Sequence, residues 1–286
     1  MQEKKEYLPV KDFSVSKESF QLLLNENYQM LETFPQPKKE QLPEYYKSED
    51  YISHTGSKRN LFEKTYHVVR KLALKKKVDL INGFKPEEKT LLDIGCGTGD
   101  FLATAQEQGW NITGIEPNDQ ARSLANKNTS NKVFDNSEIS KLKNKEYDVI
   151  TLWHVLEHLP DLEHHISEFK RLLKPYGYLV IAVPNFKSFD ANHYKEFWAA
   201  YDVPRHLWHF SPKAIKLLFE EVNMTVVNKK PMWFDSFYVS LLSEKYKTGS
   251  MNPVKGFYIG LVSNLKAIRS KQYSSVIYII KNKENT

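Results

Sequence analysis

The sequence predicts an α/β fold built on a mostly parallel sheet, and three observations support this prediction. Short apolar runs of strand type recur along the chain and alternate with segments that have helical spacing of apolar residues. One of these runs, Thr90–Ile94, breaks directly into a turn with a glycine at every second position, and a helix follows. The chain of 286 residues is also long enough for one large core, or for a core with a small appendage.

The glycine turn is the most informative segment of the chain. Gly95, Gly97 and Gly99 follow the strand, and Asp100–Gln108 is predicted to form the helix. Glycine lets the backbone approach a ligand closely, and the helix N-terminus offers free N–H groups. The spacing lacks the third glycine of G-x-G-x-x-G, and Asp93 would repel a pyrophosphate. The turn therefore favours a cationic or hydroxyl-bearing ligand.

A second predicted strand, Asn111–Glu116, ends in an acid. A carboxylate at this place in such a fold can accept hydrogen bonds from both hydroxyls of a ribose. Glu116 is therefore a candidate ribose ligand, and the alternative is a strand-end acid that only faces solvent.

Two further strands and a helix complete the pattern in the middle of the chain. Tyr147–Leu152 and Tyr178–Val183 are apolar runs, and a helix is predicted to begin at Asp161. Lys174–Gly177, KPYG, is expected to end this helix in a turn. The apolar residues of the helix recur at the spacing of one buried face: Leu162, Ile166, Phe169, Leu172 and Leu173.

Together these motifs resemble class I S-adenosylmethionine (SAM)-dependent methyltransferases, and among them a bacterial subgroup related to ubiquinone-biosynthesis O-methyltransferases. D-x-G-x-G-x-G at Asp93–Gly99 resembles the first motif of the family. The resemblance implies that SAM is the cofactor, with the glycine turn under its amino-acid end and Glu116 on its ribose. It also assigns Asp135 and His154 to the cofactor site. The alternative for the turn by itself is an αβ turn without a ligand.

The resemblance implies a Rossmann-like seven-stranded methyltransferase sheet with the strand order 3-2-1-4-5-7-6. Its seventh strand, Tyr273–Ile280, would be antiparallel and inserted between the fifth strand and the sixth, Met224–Lys230. Between the fifth and sixth strands, Ser211–Val222 is predicted to be a helix with Ser211 as N-cap and Pro212 at its first position.

The residues His154–His158 match H-x-x-E-H, an inverted zinc-protease motif. That site needs both histidines on one helical turn, and a pentad between a strand and Pro160 is not expected to form one. Some quinone-ring O-methyltransferases that resemble this chain carry E-x-x-E-H here and use it with a divalent cation. Because this chain has His154 at the first position, we predict no metal, and we favour the interpretation that Glu157 and His158 tie the loop to the neighbouring turn.

A segment rich in aromatic residues and histidines, Asn185–Phe210, follows the fifth strand and should leave the sheet at its ligand-binding edge. It contains Asp202–Leu207, DVPRHL, which resembles the D-x-P-R-H-L segment of the bacterial subgroup. A histidine can take a proton from an attacking hydroxyl or amine. His206, His158 and Arg205 are therefore the catalytic candidates, and the alternative is a packed loop whose histidines only make structural hydrogen bonds.

A long insertion, Pro231–Gln272, lies between the sixth and seventh strands. Its apolar stretches suit a lid over the site, a dimer face or a helix on a membrane surface. Simple packing onto the sheet is the fourth alternative. We expect this insertion and Asn185–Phe210 to cover the carboxyl edge of the sheet together.

Three parts are predicted along the chain. Residues 1–46 form an N-terminal extension, rich in Lys, Glu, Pro and Gln, and resemble a segment that carries a CxxC zinc ribbon in many relatives. The cysteines are absent here, so we predict no zinc. Residues 47–89 form a helical cap segment with a helix over Asn60–Asn82, and residues 90–286 form the SAM-binding domain with insertions at 185–210 and 231–272.

Composition agrees with a globular protein of ordinary apolar content, 41%. The start of the sequence has no hydrophobic signal core and no run approaches the length of a membrane span, so we expect a cytoplasmic protein. The single cysteine, Cys96, excludes an intramolecular disulfide. The net charge of +6 comes from scattered lysines, so nucleic acid is not indicated as a partner.

The sequence therefore predicts a SAM-dependent methyltransferase that moves a methyl group to the oxygen or nitrogen of a small or lipid-like acceptor. The alternative is a non-catalytic SAM-fold binding or regulatory subunit. An RNA methyltransferase is disfavoured because Thr151–Leu156 lacks an NPPY- or DPPY-type motif. A homodimer is one option for its assembly.

Overall fold

The computed structural model describes residues 5–38, 40–46 and 61–283, and this part of the chain contains eleven strands and eight helices. Residues 47–60 of the predicted helical cap segment lie outside the described residues. The strands are β1 Lys5–Lys11, β2 Ser19–Asn25, β3 Met30–Phe34, β4 Thr90–Ile94, β5 Asn111–Ile115, β6 Val133–Phe134, β7 Tyr147–Trp153, β8 Leu173–Pro184, β9 Trp208–His209, β10 Met224–Pro231 and β11 Ser275–Asn282. The helices are α1 Leu61–Asn82, α2 Asp100–Glu107, α3 Asp119–Asn128, α4 Leu162–Leu172, α5 Phe189–Tyr194, α6 Pro212–Glu221, α7 Asp235–Thr248 and α8 Pro253–Ser270.

The main sheet has seven strands in the order β6-β5-β4-β7-β8-β11-β10. The five strands from β6 to β8 pair in parallel, whereas β11 is antiparallel to both of its neighbours. Counted from β4, this is the order 3-2-1-4-5-7-6. The predicted α/β fold with a Rossmann-like methyltransferase sheet is therefore confirmed. The carboxyl ends of β4, β5 and β7 lie side by side in the middle of the sheet, where such folds bind ligands.

The centre of the sheet is buried on both faces, as expected for parallel strands. Successive residues of one strand point to opposite faces. Leu91 and Val149 accordingly belong to one hydrophobic cluster, and Leu92 and Ile150 belong to the other. This two-sided core explains why the central strands are continuous apolar runs rather than alternating ones.

Two helices begin where the sequence predicts, and a side chain caps each start. The Asp161 side chain accepts a hydrogen bond from the backbone N–H of His164 at the start of α4, and the Ser211 hydroxyl accepts one from Ala214 at the start of α6. The end of α4 differs from the prediction, because KPYG is part of β8 rather than a separate turn. An irregularity in the pairing of β7 with β8 accommodates these residues.

The N-terminal extension forms a sheet of its own, which the sequence does not predict. Strands β1, β2 and β3 pair in antiparallel order, and β9 completes the sheet through the pairs Leu31–His209 and Glu32–Trp208. Strand β9 belongs to the segment 185–210. The extension and the segment with the histidines are therefore one packed unit.

The insertion between β10 and β11 is a hairpin of two helices, α7 and α8. The preceding segment 185–210 is compact, with α5 followed by two single helical turns, Lys195–Phe197 and Ala199–Tyr201. Among the described residues, α8 and every other helix is too short or too polar to cross a bilayer.

A buried ion pair joins the extension to the segment 185–210. Asp12 is almost fully buried, and its carboxylate accepts hydrogen bonds from the backbone N–H groups of residues 14, 15 and 16. The guanidinium of Arg205 donates to Asp12 at 3.0 Å and to Asp202 at 2.7 Å. Burial would lower the pKa of Arg205, but the two carboxylates raise it above its usual value.

We predict that Asp12→Ala destabilises the protein by about 3–5 kcal/mol, because it leaves the buried guanidinium of Arg205 with one carboxylate fewer. Urea unfolding followed by circular dichroism measures the loss. Asp119→Ala is the matched control, because Asp119 pairs with Arg122 while its own side chain is 88% exposed. The control should lose no more than about 1 kcal/mol. Equal losses in the two variants would contradict the structural role of the buried pair.

Candidate active site

The three glycines of the turn between β4 and α2 have different surroundings. All have positive φ, 68° at Gly95, 55° at Gly97 and 77° at Gly99. A Cβ atom at Gly95 would lie 2.5 Å from a methyl group of Val155, and one at Gly99 would lie 3.0 Å from the backbone of Ala125. A Cβ atom at Gly97 would meet no described atom within 4 Å. Gly95 and Gly99 therefore allow the turn to pack, and Gly97 presents its backbone to open space.

Asp93 lies at the carboxyl end of β4, immediately before the glycine turn. It is 2% exposed, and its carboxylate accepts a hydrogen bond of 2.6 Å from the hydroxyl of Thr151 on β7. Burial raises the pKa of Asp93 to about 7, against the opposing effects of Thr151 and of the Lys77 ammonium. Near neutral pH this site therefore holds a carboxyl group poised between its two protonation states.

Glu116 follows β5 and lies beside the same turn. One carboxylate oxygen accepts the backbone N–H of Gly97 and the other that of Asn118, each at 2.9 Å. Burial raises the pKa of Glu116, and the two N–H groups oppose this effect. Each oxygen keeps a second lone pair, so the carboxylate can still accept hydrogen bonds from a ligand.

Asp135 follows β6, next to Glu116 at the same edge of the sheet. Its side chain caps a helical turn by accepting a hydrogen bond from the N–H of Ser137, and it lies 3.4 Å from Arg122. These contacts, first of all that with Ser137, lower the pKa of Asp135. The carboxylates of residues 93, 116 and 135 thus lie at or just after the ends of three adjacent strands, β4, β5 and β6. This is the arrangement expected of a row of hydrogen-bond acceptors for one bound ligand.

Lys77 on α1 is a functional candidate that the sequence does not reveal, since it is one of three consecutive lysines. Its ammonium lies 4.3 Å from the ring centre of Trp153, at the end of β7. Burial lowers the pKa of Lys77, and the nearby charges of Asp93 and Asp235 oppose this effect. The indole N–H of Trp153 is buried with no hydrogen-bond partner among the described residues. A cation and an unused donor therefore face the edge of the sheet.

His154 lies directly after β7 and connects the sheet to the helical hairpin. Its Nε2 is 2.9 Å from the carboxylate of Asp235, the first residue of α7, and its Nδ1 is 3.3 Å from Glu157. Burial would lower the pKa of His154, but the two carboxylates raise it to about 10. The imidazole is therefore a cation at neutral pH, and Asp235 is its second partner, which only the folded arrangement brings to the site.

His158 and His206, the two candidate bases, lie together. Their ring centres are 4.5 Å apart and their planes are nearly perpendicular. Nδ1 of His158 lies 3.0 Å from the carbonyl oxygen of Arg205, and Nδ1 of His206 lies 2.9 Å from that of Ala200. Because a carbonyl only accepts hydrogen bonds, Nδ1 of His206 carries a proton. Nδ1 of His158 also lies 3.0 Å from the hydroxyl of Tyr46, so it can either donate to the Arg205 carbonyl or accept from Tyr46. Burial lowers the pKa of His206 well below its usual value, and the neighbouring His158 lowers it further. Nε2 of His206 therefore accepts a proton only weakly.

Glu157 completes this cluster. One of its oxygens is buried without a hydrogen-bond partner among the described residues. Ligand atoms of Glu157, His158 and His206 all lie within 4.8 Å of one another, close enough to hold a metal ion. The predicted absence of a helix through His154–His158 is confirmed, because only Leu156–His158 forms a single helical turn. The zinc-protease arrangement is therefore not formed. Glu157, His158 and His206 are a different set of candidate metal ligands.

The structure brings the predicted residues together in two groups at the carboxyl edge of the sheet. Asp93, the glycine turn, Glu116 and Asp135 line one part. His154, His158 and His206 line the other, and both insertions reach it, through Asp235 and through the hydrogen bond between the Leu207 N–H and the Glu157 carbonyl oxygen. The side chain of Arg205 is instead turned toward Asp12 and Asp202, so its catalytic role stays a prediction and its visible contacts are structural.

Comparison with known proteins agrees with this geometry. Residues 66–229 match the model of a family described as a methyltransferase domain. The chain is 29% identical over 123 residues to the ubiquinone biosynthesis O-methyltransferase of Hydrogenovibrio crunogenus, which covers 40% of this chain and 51% of the relative. It is 34% identical over 108 residues to the enzyme of that name from Actinobacillus pleuropneumoniae, covering 34% and 46%. The chain therefore spans about half the length of these curated relatives.

Solved structures show the same fold. Magnesium protoporphyrin IX methyltransferase from Synechocystis, crystallised with bound SAH, superposes with a TM-score of 0.56 at 14% identity and covers 85% of this chain and 99% of its own. A SAM-dependent methyltransferase from Archaeoglobus fulgidus superposes with a TM-score of 0.52 at 21% identity, covering 77% and 98%. The family model matches more than half of the 286 residues, and the chain thus belongs to the methyltransferase-domain family.

Proposed function

We propose that this protein is a SAM-dependent methyltransferase that moves a methyl group to a small or lipid-like acceptor. The observation that carries the proposal is the open backbone of Gly97 between the buried carboxylates of Asp93 and Glu116. A side chain at Gly97 would fill this space, so the turn is shaped to admit a ligand. Membership of the methyltransferase-domain family supports SAM as that ligand.

The residues present fit the two ends of SAM. Glu116 would accept the ribose hydroxyls, and Asp135 beside it extends the row of acceptors. Asp93 would lie near the α-amino group and Lys77 near the α-carboxylate, so that each charge of the amino-acid end meets an opposite one. SAM supplies a methyl group on a positively charged sulfur, which a nucleophile can displace.

The protein's own contribution to such a displacement is mainly to hold the two reactants in position. Holding two reactants in line makes the reaction effectively unimolecular, and a base adds a further factor only where the acceptor must lose a proton. We propose His206 and His158 as the groups that contact the acceptor, with their Nε2 atoms directed away from the backbone carbonyls that hold Nδ1. Arg205 keeps both in place, because its carbonyl holds His158 and its neighbour in the chain is His206.

A phenolic or quinone-like acceptor with O-methylation is the specific proposal that the named relatives support. The large aromatic residues of the segment 185–210 do not support this proposal, because Phe186, Tyr194, Trp198 and Tyr201 are buried in a core with β1, β2 and β3. The cluster of Glu157, His158 and His206 also leaves a second mode of action to test, in which a divalent cation would bind the acceptor oxygen.

Gly97→Ala tests the cofactor site. The variant should lose at least tenfold in SAM affinity, because the added methyl group lies where the ligand must approach, and isothermal titration calorimetry measures this. Gly109→Ala is the matched control, since Gly109 also has positive φ, 82°, and its Cβ would also meet no described atom within 4 Å. Both variants should lose about 1 kcal/mol of stability from backbone strain, but only Gly97→Ala should lose affinity.

If Gly97→Ala binds SAM as tightly as the control, the turn is not the cofactor site. SAM binding by the wild type without methyl transfer to any acceptor in a cell extract would instead favour the non-catalytic alternative.

The affinity for SAM should depend on pH through Asp93. With its pKa near 7, Asp93 is mostly protonated at pH 5.5, and a cationic amino group can pair only with the ionised form. Affinity should therefore rise about tenfold from pH 5.5 to pH 7.0, a range in which an α-amino group stays mostly charged. Calorimetry over this range gives the slope. Asp93→Asn should bind more weakly with a flat profile, and an equally steep profile in this variant would remove Asp93 from the explanation.

His206→Ala should lower turnover at saturating SAM by at least tenfold while SAM affinity changes less than threefold, in the range usual for loss of a general base or an orienting group. Steady-state kinetics and calorimetry separate the two effects.

Chelation is the second arm of the test. Unchanged activity after treatment with EDTA fits a metal-free role for His206, whereas loss of activity that added Mg²⁺ or Zn²⁺ restores would assign the cluster to a metal. Reduced SAM affinity with unchanged turnover would make His206 structural.

A further inference from the structure

The hairpin of α7 and α8 has small and polar side chains on its inner face. Large apolar residues normally occupy that position in a protein surrounded by water. The buried residues of α7 are Ser236, Ser240, Ser243 and Glu244. Those of α8 are Gly256, Ile259, Gly260, Ser263, Asn264 and Ala267. Only Ile259 among them is a large apolar residue, and the one aromatic ring pair that joins the two helices among the described residues is the stack of the half-buried Phe237 on Phe257, at 4.8 Å.

Small residues let the two helices approach closely. A Cβ atom at Gly256 would lie 2.9 Å from Cα of Leu241, and one at Gly260 would lie 2.9 Å from Cα of Phe237. This spacing of two glycines four residues apart is typical of helix contacts in lipid, where close packing and polar contacts replace the hydrophobic effect.

The outer face of α8 is apolar along its whole length. Six large side chains recur at spacings of three and four and form one stripe: Val254 (82% exposed), Phe257 (59%), Tyr258 (62%), Leu261 (40%), Leu265 (57%) and Ile268 (49%). Tyr238 on α7, with 60% exposed, adds to it. A contiguous exposed apolar surface of this kind marks a contact with another apolar phase.

The charges around this stripe are mostly positive, although Lys255 is paired with the buried Glu244 of α7 at 3.2 Å and Lys266 lies 3.9 Å from the ring centre of Phe189. Residues 245–272 contain six basic residues, Lys245, Lys247, Lys255, Lys266, Arg269 and Lys271, and no acidic residue. The whole hairpin, residues 231–272, also contains the acidic residues Asp235 and Glu244, so it carries +4 of the chain's net charge of +6.

A second copy of the chain is a poor partner for this face. In a two-fold dimer the same surface meets itself, and here the cations of one copy would face those of the other. A partner surface that is apolar and negatively charged would match both the exposed stripe and the positive charge of the hairpin. The surface of a bilayer with anionic headgroups has these properties.

We propose that the outer face of the α7–α8 hairpin, defined by the six residues of the stripe and Tyr238, lies on the surface of an anionic lipid bilayer. Helix α8 has 18 residues and a length of about 27 Å, and it would lie flat at the level of the headgroups. Its apolar side chains enter the acyl boundary and its cations meet the phosphates. Because Asp235 at the start of α7 contacts His154, this surface is next to the carboxyl edge of the sheet.

The proposal goes beyond the methyl-transfer reaction and can fail separately from it, because vesicle binding needs neither SAM nor an acceptor. Purified protein is floated with vesicles of phosphatidylcholine alone and with vesicles of equal parts phosphatidylcholine and phosphatidylglycerol. The wild type should bind the mixed vesicles at least tenfold more tightly than the neutral ones, and high salt should weaken this binding.

Two double variants separate the apolar and the charged contributions. Tyr258→Gln with Leu265→Gln removes exposed apolar groups, and Tyr176→Gln is its control, because Tyr176 is 73% exposed on β8, outside the hairpin. Arg269→Glu with Lys271→Glu reverses two charges, and Lys132→Glu with Lys143→Glu is its control elsewhere in the chain. Each hairpin variant should lose about tenfold or more in binding to mixed vesicles, and the controls should bind like the wild type.

Circular dichroism and SAM calorimetry on the same proteins show that the variants are folded. Equal binding by variants and controls, or equal binding to neutral and mixed vesicles, would overturn the proposal. So would a wild-type dimer in sedimentation that the apolar variant converts to a monomer, because the face would then belong to a second copy.

Discussion

The arrangement of His158 and His206 depends on one buried charge, the guanidinium of Arg205. Its two carboxylate partners come from the N-terminal extension and from its own segment, and its carbonyl oxygen holds the ring of His158. The extension therefore does more than cover the sheet. Its Asp12 neutralises the charge of Arg205, which orients the segment 185–210, and this segment carries His206. An isolated sheet with the same carboxyl edge would not hold these two histidines in place.

The cofactor side shows a related constraint. Two carboxylates, Asp93 and Glu116, are buried at the ends of adjacent strands, where desolvation penalises their charge. The compensation for Asp93 comes first from the hydroxyl of Thr151 on β7 and then, from outside the sheet, from Lys77 on α1. Likewise, the charged His154 is balanced by Asp235 on α7. Helix α1 and the helical hairpin thus supply charges opposite to those of Asp93 and His154 at the carboxyl edge of the sheet.

The parts of the structure that were predictable are those specified by neighbours in the sequence. The glycine turn, the capped start of α6 and the strand order follow from local spacing and from a resemblance carried by local motifs. The sheet of the extension was not predictable, because β3 finds its last partner, β9, far along the chain. Lys77 and Asp235 were missed for the same reason, since nothing next to them in the sequence marks them as charges of the site. Arg205 carried a visible motif, but only tertiary contacts show where its side chain points.

The place at which the helical hairpin joins the sheet has a consequence for how this protein can change. The hairpin leaves from the end of β10 and returns at the start of β11, and these strands are antiparallel neighbours, with Pro231 paired to Val276. The two ends of the insertion are therefore held together by the sheet itself. A longer, shorter or differently surfaced hairpin can be exchanged at this point without shifting the register of any strand. The surface that surrounds the carboxyl edge of the sheet can thus diversify while the sheet itself stays the same.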